Sequence, residues 1–163
     1  MRIFRSMLFV FLAVLSLVFA AAPLHAEVIT LEIKNSLGKN DKPVTTLRTT
    51  IEPLNEAALE SGLSAEQIKA TIKSSLVTKN FQLSESAGVV LSIKFVGLKN
   101  KSDFSGYLSL DITGEEKRTS SGNKYHQLMW SGSFLFPYDT DASALHEIAA
   151  IVETFVKNYL ATR

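Results

Sequence analysis

The chain has 163 residues, of which 46% are hydrophobic and 20% charged, and it contains no cysteine. Its 17 basic and 16 acidic residues nearly cancel, and this balance argues against a nucleic-acid partner. Without cysteine the chain has no disulfide, no thiol chemistry and no lipid-anchored cysteine of the lipoprotein type.

The N-terminal segment is the most apolar part of the chain. Arg2 and Arg5 precede sixteen uncharged residues, 7–22, and Pro23 ends the run. A helix that spans a bilayer needs about 20 apolar residues, so this run is too short. A basic start, a short apolar run and an alanine-rich end are typical of a secretory signal peptide.

We predict that cleavage after Ala26 removes residues 1–26, with residues 20–22 as a second candidate cut. Residues 27–163 then carry 15 basic and 16 acidic residues, and they form a single domain because nothing repeats and no linker divides them. The expected location is the periplasm or the medium, with no stable membrane anchor. The alternative is an uncleaved N-terminal anchor.

Two alternating apolar patterns open the remaining chain, and both predict strands. The residues on one face of the first are Ile29, Leu31 and Ile33. The residues on one face of the second are Thr45, Leu47, Thr49 and Ile51. The segment between them, 36–43, is rich in turn-forming residues, so residues 27–52 predict a hairpin that Pro53 ends.

The clearest predicted helix begins at Ser64. The Ser64 hydroxyl can cap the first turn while Gln67 reaches back to the cap, which is the capping-box pattern. The apolar face of this helix comprises Ile68, Ile72 and Leu76. Asn80 suits a left-handed stop, and residues 54–62 predict a short helical turn before the helix.

Three further patterns predict the centre of the sheet. Their inward residues are Val89, Leu91, Ile93 and Phe95, then Leu108, Leu110 and Ile112, then one face of a long strand over 125–136. A polar loop over 114–124 predicts a hairpin between the last two strands. Gly132 inside the last strand predicts a bulge or a bend around a packed helix.

An amphipathic helix closes the chain. Its apolar stripe comprises Leu145, Ile148, Val152, Phe155 and Tyr159. Asp139 and Asp141 lie at its favourable positive end. The order β-β-α-β-β-β-α predicts an α+β fold, in which two helices pack on one face of a mainly antiparallel sheet of about five strands.

Several segments resemble a group of small exported bacterial α+β proteins of unassigned function. The segments that carry this resemblance are 62–80, 89–95, 106–112, 129–131 and 153–160. The layout is also similar to envelope accessory domains, including those of outer-membrane assembly and transport-associated lipoproteins, whose anchored cysteine this chain lacks. The resemblance implies a fold and a compartment, and it assigns no site residue.

No metal-binding motif is present. Two histidines remain after the predicted cleavage, His126 on a strand and His146 on the last helix. A zinc site needs three or four ligands at suitable spacing, and no such spacing occurs. The alternative is a site formed by His146 with Asp139, Asp141 or Glu147, although solvated acids at a helix start are the simpler interpretation. We predict no metal and no cofactor.

The residues that serve nucleophilic or acid–base catalysis form no motif either. The chain has neither the serine signatures of hydrolases nor a serine with a clear histidine and acid beside it. Glu115 and Glu116 are adjacent on a loop, where neighbouring side chains point apart rather than at one bond. We therefore predict that the protein is not an enzyme and has no catalytic residue.

Aromatic residues leave two alternatives for a binding surface. Tyr107, Tyr125, Trp130 and Tyr138 lie on or beside strands and form a candidate interaction patch. If the helices cover the Trp130 face, these rings are core; if they cover only the opposite side, part of that face is open to a partner. The strand register decides between the two.

The sequence thus favours a non-enzymatic interaction or accessory protein of the cell envelope, with an envelope protein as its expected partner. The alternative is a carrier of a small molecule or lipid in a cavity between helices and sheet. A hydrolase is a third hypothesis, which requires a serine, a histidine and an acid within hydrogen-bonding reach.

Overall fold

The computed structural model describes residues 28–35, 43–118, 121–122 and 124–161. Side chains at 34–35, 115–118 and 124–125 are outside this description. The predicted signal peptide, residues 1–26, also lies outside it, as do the side chains of Glu115 and Glu116.

The described chain forms an α+β fold with a sheet of six strands and with three helices. In chain order the elements are β1 (Ile29–Asn35), β2 (Thr46–Ile51), α1 (Glu56–Glu60), α2 (Ala65–Thr78), β3 (Gln82–Leu83), β4 (Val90–Asn100), β5 (Asp103–Arg118), β6 (Lys124–Tyr138) and α3 (Asp141–Leu160). The strand order across the sheet is β1-β6-β5-β4-β2-β3. None of the described helices combines the length and the apolar character needed to cross a membrane.

The sheet is mixed, which corrects the prediction of about five mainly antiparallel strands. Strands β1, β6, β5 and β4 pair antiparallel, whereas β2 pairs parallel with both β4 and β3. A parallel pair needs a long crossover, and α1, α2 and β3 lie in the connection from β2 to β4. The short α1 matches the predicted helical turn and makes a third helix.

The predicted hairpin over residues 27–52 is wrong. Strand β1 pairs with β6, and Ile29 lies opposite Leu135 at the far edge of the sheet from β2. The predicted common face of Ile29 and Ile33 is also wrong, because the register shift between Thr30 and Glu32 places Ile29 opposite Leu135 and Ile33 opposite Gly132, on opposite faces of the sheet. Ile29, Leu31 and Ile33 are 51%, 52% and 40% exposed.

The predicted start and end of α2 are confirmed. The Ser64 N–H donates to Gln67 Oε1 at 2.8 Å, and the Gln67 N–H donates to Ser64 Oγ at 3.2 Å. This reciprocal capping box satisfies two N–H groups that the first turn leaves unpaired. Asn80 has a left-handed φ of 65° two residues after the helix ends. The buried face comprises Ile68, Ile72 and Leu76.

The helices pack closely on one face of the sheet, and two glycines allow the approach. A Cβ at Gly132 would lie 2.9 Å from Phe155 Cδ2, so α3 passes directly over β6. A Cβ at Gly97 would lie 2.5 Å from the Ala58 nitrogen, so α1 passes over β4. The predicted packing of a helix over Gly132 is therefore confirmed.

The central strands and the closing helix bury the predicted residues. The inward residues of β4 and β5 are almost fully buried: Leu91, Ile93, Phe95, Leu108, Leu110 and Ile112. Strand β5 continues to Arg118, so the predicted loop over 114–124 is too long. Helix α3 buries four residues of its predicted stripe: Ile148, Val152, Phe155 and Tyr159.

Tyr159 joins the end of α3 to the segment that enters β2. Its hydroxyl accepts a hydrogen bond from the Val44 N–H at 2.7 Å and donates one to the Val44 carbonyl at 3.2 Å. Burial raises the pKa of Tyr159 above its usual value of 10.0, and the backbone hydrogen bond with Val44 partly opposes that rise.

Candidate functional site

One face of the sheet is covered by the helices, and the other, which we call the open face, is covered by none of the described helices. Successive side chains along a strand point to opposite faces, so the residues between the buried ones lie on the open face. On the three central strands these are Ser92, Lys94, Val96 and Leu98 of β4, Tyr107, Ser109 and Asp111 of β5, and Ser131, Ser133 and Leu135 of β6.

Five of these side chains form what we call the hydroxyl cluster: Tyr107, Ser109, Asp111, Ser131 and Ser133. The Tyr107 hydroxyl donates to Ser133 Oγ at 3.2 Å. Ser133 Oγ donates to Ser109 Oγ at 3.4 Å, and Ser109 Oγ donates to Asp111 Oδ2 at 3.4 Å. Ser131 Oγ donates to Asp111 Oδ1. The hydrogen bonds thus lead from both strands to one carboxylate.

The carboxylate of this cluster is hydrogen-bonded to serines. A serine nucleophile needs a base, most often a histidine, that takes its proton. Within the described part of the chain, Asp111 accepts from two serines and is not hydrogen-bonded to a histidine. The His126 Nδ1 instead lies 3.2 Å from the Gly114 carbonyl oxygen.

An apolar strip borders the hydroxyl cluster. We define it as Ile29, Val96, Leu98, Tyr107 and Leu135. Four of these form one row across the sheet, because Ile29 lies opposite Leu135, Leu135 opposite Tyr107, and Tyr107 opposite Val96. Ile29 is 51% exposed and Leu98 is 48% exposed. The strip therefore offers apolar area that runs from β4 to the β1 edge.

The structure does not bring the four predicted patch residues together. Trp130 and Tyr138 are each only 4% exposed, because they lie on the helix-covered face. Tyr138 stacks on Phe104 and shares a 3.0 Å hydrogen bond with Ser61. Tyr107 lies on the opposite, open face, and the Tyr125 side chain is outside the described residues. Trp130 and Tyr138 are therefore core residues, and Tyr107 is the one of the three described side chains that remains in the candidate surface.

The predicted candidates for metal binding are also apart from the cluster. His126 lies on β6 and is exposed, and His146 is exposed on α3. Among the described residues, no group of three or more histidine or acidic side chains is arranged to hold a metal ion.

Among the grooves on the described surface, two are open and neither of these is an enclosed cavity between helices and sheet. The first, about 170 Å³, lies between β1 and α3 and is lined by Val28, Thr30, Phe134, Ala150, Ile151 and Thr154. The second, about 350 Å³, lies along α3 beside the exposed ion pair of Lys79 and Glu153, whose charged atoms are 3.5 Å apart.

Sequence reasoning overlooked most of the hydroxyl cluster. In the sequence alone, Ser131 and Ser133 are ordinary residues of a predicted strand. Ser109 and Asp111 are the outward-facing residues of an alternating pattern. The available signal was the polar half of each pattern on two strands that share a hairpin. These polar residues form a cluster only because the strand register places Ser109 opposite Ser133.

No protein-family model and no curated protein sequence matches the chain. Among solved structures, the dodecamer of a PelC variant from Paraburkholderia phytofirmans aligns with 83% of this chain and 98% of that chain, at 12% identity and a TM-score of 0.42. A second PelC dodecamer from the same organism aligns with 84% of this chain and 96% of that chain, at 12% identity and a TM-score of 0.38. Similarity at this level carries no argument about this chain.

Proposed function

We propose that this protein is a non-enzymatic protein-binding accessory module of the bacterial cell envelope, and that the open face is its binding surface. The observation that carries the proposal is the pairing of an apolar strip with an internally hydrogen-bonded polar cluster on one uncovered sheet face. Export through the N-terminal segment, residues 1–26, is part of the same proposal and rests on the signal-peptide pattern.

The hydroxyl cluster lowers the cost of covering this surface. Burying a polar group without a partner costs about 1–3 kcal/mol. Each serine and tyrosine proton of the cluster already has an acceptor within it, so a partner can cover these groups without leaving a donor unpaired. Asp111 adds the only charge of the cluster, which favours a partner with a lysine, an arginine or another donor at that point.

The apolar strip supplies the attractive part of the surface. Interfaces typically combine a buried apolar centre with tyrosine and a polar margin. Tyr107 belongs to both the strip and the cluster, since its ring lies in the apolar row and its hydroxyl donates to Ser133. We therefore expect Tyr107 to lie at the centre of the interface.

The carrier alternative has less support. Sites for small molecules usually have volumes of about 300–1,000 Å³ and bury most of the ligand. The groove between β1 and α3 has only about 170 Å³, and the groove along α3, at about 350 Å³, is open and lined in part by the charged residues Lys79, Glu153 and Lys157. Large side chains such as Phe95, Phe134 and Phe136 are fully buried between sheet and helices.

Site-specific crosslinking in intact cells tests the proposed surface. A photo-crosslinking amino acid at Leu98 samples the open face, and the same amino acid at Val77 samples an equally apolar position on α2. The two residues are 48% and 57% exposed, so they are matched controls. We expect a discrete envelope protein to be captured from position 98 and not from position 77. Equal capture from both positions, or none from either, contradicts the proposal.

Export is tested separately by cell fractionation and by intact mass. The expected result is a periplasmic or released protein whose mass corresponds to residues 27–163. A protein that retains residues 1–26 contradicts the predicted cleavage, and one found only in the cytoplasm contradicts the proposed compartment.

A further inference from the structure

Strand β1 forms one outer edge of the sheet. It is seven residues long, and its inner edge pairs with β6. Its outer edge faces no other strand in the part of the chain that the structure describes. An edge strand presents backbone N–H and C=O groups that a further extended segment can pair with, and natural proteins usually protect such edges.

Apolar surface lies on both sides of this edge. On the open-face side, Ile29 continues the apolar strip to the edge. Leu31 lies at the register shift of this edge strand and is 52% exposed. On the helix side, the groove of about 170 Å³ between β1 and α3 opens beside the same strand. Its lining from β1 is Val28 and Thr30, and its lining from α3 includes Ala150 and Thr154.

We propose that an extended segment of the binding partner adds to β1 as a seventh strand. This inference rests on the proposed binding function and specifies how the partner is held. Alternate side chains of an added strand point to opposite faces, so one set would enter the groove and the other would extend the apolar strip. The chemistry of the partner segment is therefore an extended chain with apolar side chains on both faces.

A second copy of this chain is a poorer occupant. In an antiparallel pairing of β1 with itself, the register shift between Thr30 and Glu32 would be present in both strands and would interrupt the ladder twice. A partner segment with a regular strand meets only one such interruption.

Crosslinking along the edge tests this mode of binding. Photo-crosslinking amino acids are placed singly at Ile29 and Ile33 in the full chain, expressed in its own cells, and the crosslinked partner residues are mapped by mass spectrometry. Addition of a strand predicts that both positions capture the same protein, at two sites within one short segment of that protein. The order of the two sites gives the direction of the added strand.

A pair of matched variants separates strand addition at the edge from nonspecific binding to exposed apolar side chains. Leu31→Lys places a charge on the edge, which blocks strand addition in natural sheets, and Val77→Lys places the same charge on α2. Both side chains are more than half exposed, so both variants are expected to fold, which thermal melting checks. We expect Leu31→Lys to lower the crosslink yield from position 33 by about tenfold or more, which corresponds to about 1.4 kcal/mol, and Val77→Lys to leave it unchanged.

The outcomes distinguish this inference from the function on which it rests. Capture of a partner from Leu98 with no capture from the edge, or with sites scattered over several segments, overturns strand addition and leaves the binding function standing. Capture of a second copy of this chain overturns the choice of occupant. Absence of a partner at every position overturns both proposals. Equal loss of yield in the two lysine variants also contradicts strand addition.

Discussion

Replacement of Phe155 by alanine tests whether α3 is part of the fold or a detachable helix. The ring is 1% exposed and lies against β6 where Gly132 has no side chain. Removing a buried phenylalanine side chain costs about 3–5 kcal/mol, the lost transfer energy plus the cavity left behind. A domain of this size typically has only about 5–15 kcal/mol of stability, so the loss is a large fraction of the total.

The matched control is Lys157→Ala on the same helix. Lys157 is exposed, and substitutions at exposed sites change stability by about 0.5 kcal/mol or less. The assay is urea and thermal unfolding of the purified exported protein, followed by circular dichroism. At several degrees of melting temperature per kcal/mol, Phe155→Ala is expected to lower the midpoint by about 10–20 °C.

Two results would contradict the packing of α3 in the core. If both variants changed stability equally and slightly, the Phe155 ring would not be packed in the core. If Phe155→Ala instead left unfolding unchanged and abolished partner capture, α3 would itself be the binding element, and the open face would lose its role as the proposed surface.

Further predictions concern hydrogen bonds between distant parts of the chain. The Asn55 side chain pairs with both the N–H and the carbonyl of Gly97 at 2.8 Å, so Asn55→Ala should cost about 1–3 kcal/mol in urea unfolding. Asn55→Asp should recover only part of this loss, since a carboxylate can accept from the N–H but cannot donate to the carbonyl. Tyr159→Phe removes both hydrogen bonds with Val44 and should cost about 1–2 kcal/mol at neutral pH. Because the pKa of Tyr159 is raised in the fold, its contribution is complete below pH 10 and is lost as pH rises further, so the stability difference between wild type and Tyr159→Phe should shrink in alkaline unfolding experiments. A difference that grew with pH would contradict this sign.

Local patterns were sufficient to predict the elements whose signals are contained in a few residues. The Ser64 and Gln67 pair predicts the start of α2, and Asn80 its end, because capping and left-handed stops depend only on neighbours in sequence. Alternation likewise predicts the inward residues of β4 and β5. A second capping box, formed by Thr140 and Ser143 at the start of α3, was missed because serine replaces the usual glutamate or glutamine.

The pairing of β5 with β6 was predicted from the polar segment between them. The pairing of β1 and of β2 could not be predicted, because it depends on residues far apart in sequence. The predicted hairpin of β1 and β2 assumed that consecutive strands pair, which is common but not general. Here β1 completes the opposite edge of the sheet, beside β6, and β2 runs parallel to β4.

The same limit applies to the candidate site. Asp111 and Ser131 are 20 residues apart, and only the register of β5 on β6 brings them together. Trp130 and Tyr107 could not be assigned to core or surface until the helix-covered face was known.

A crosslinking comparison tests whether the open face binds a protein partner. Capture from position 98 is measured in intact cells with and without Leu135→Asp, which places a charge in the middle of the apolar strip. Val77→Asp is the control on α2. We expect Leu135→Asp to lower capture by about tenfold or more at unchanged protein level, and Val77→Asp to leave it unchanged. Undiminished capture by a folded, exported Leu135→Asp protein would contradict binding at the open face.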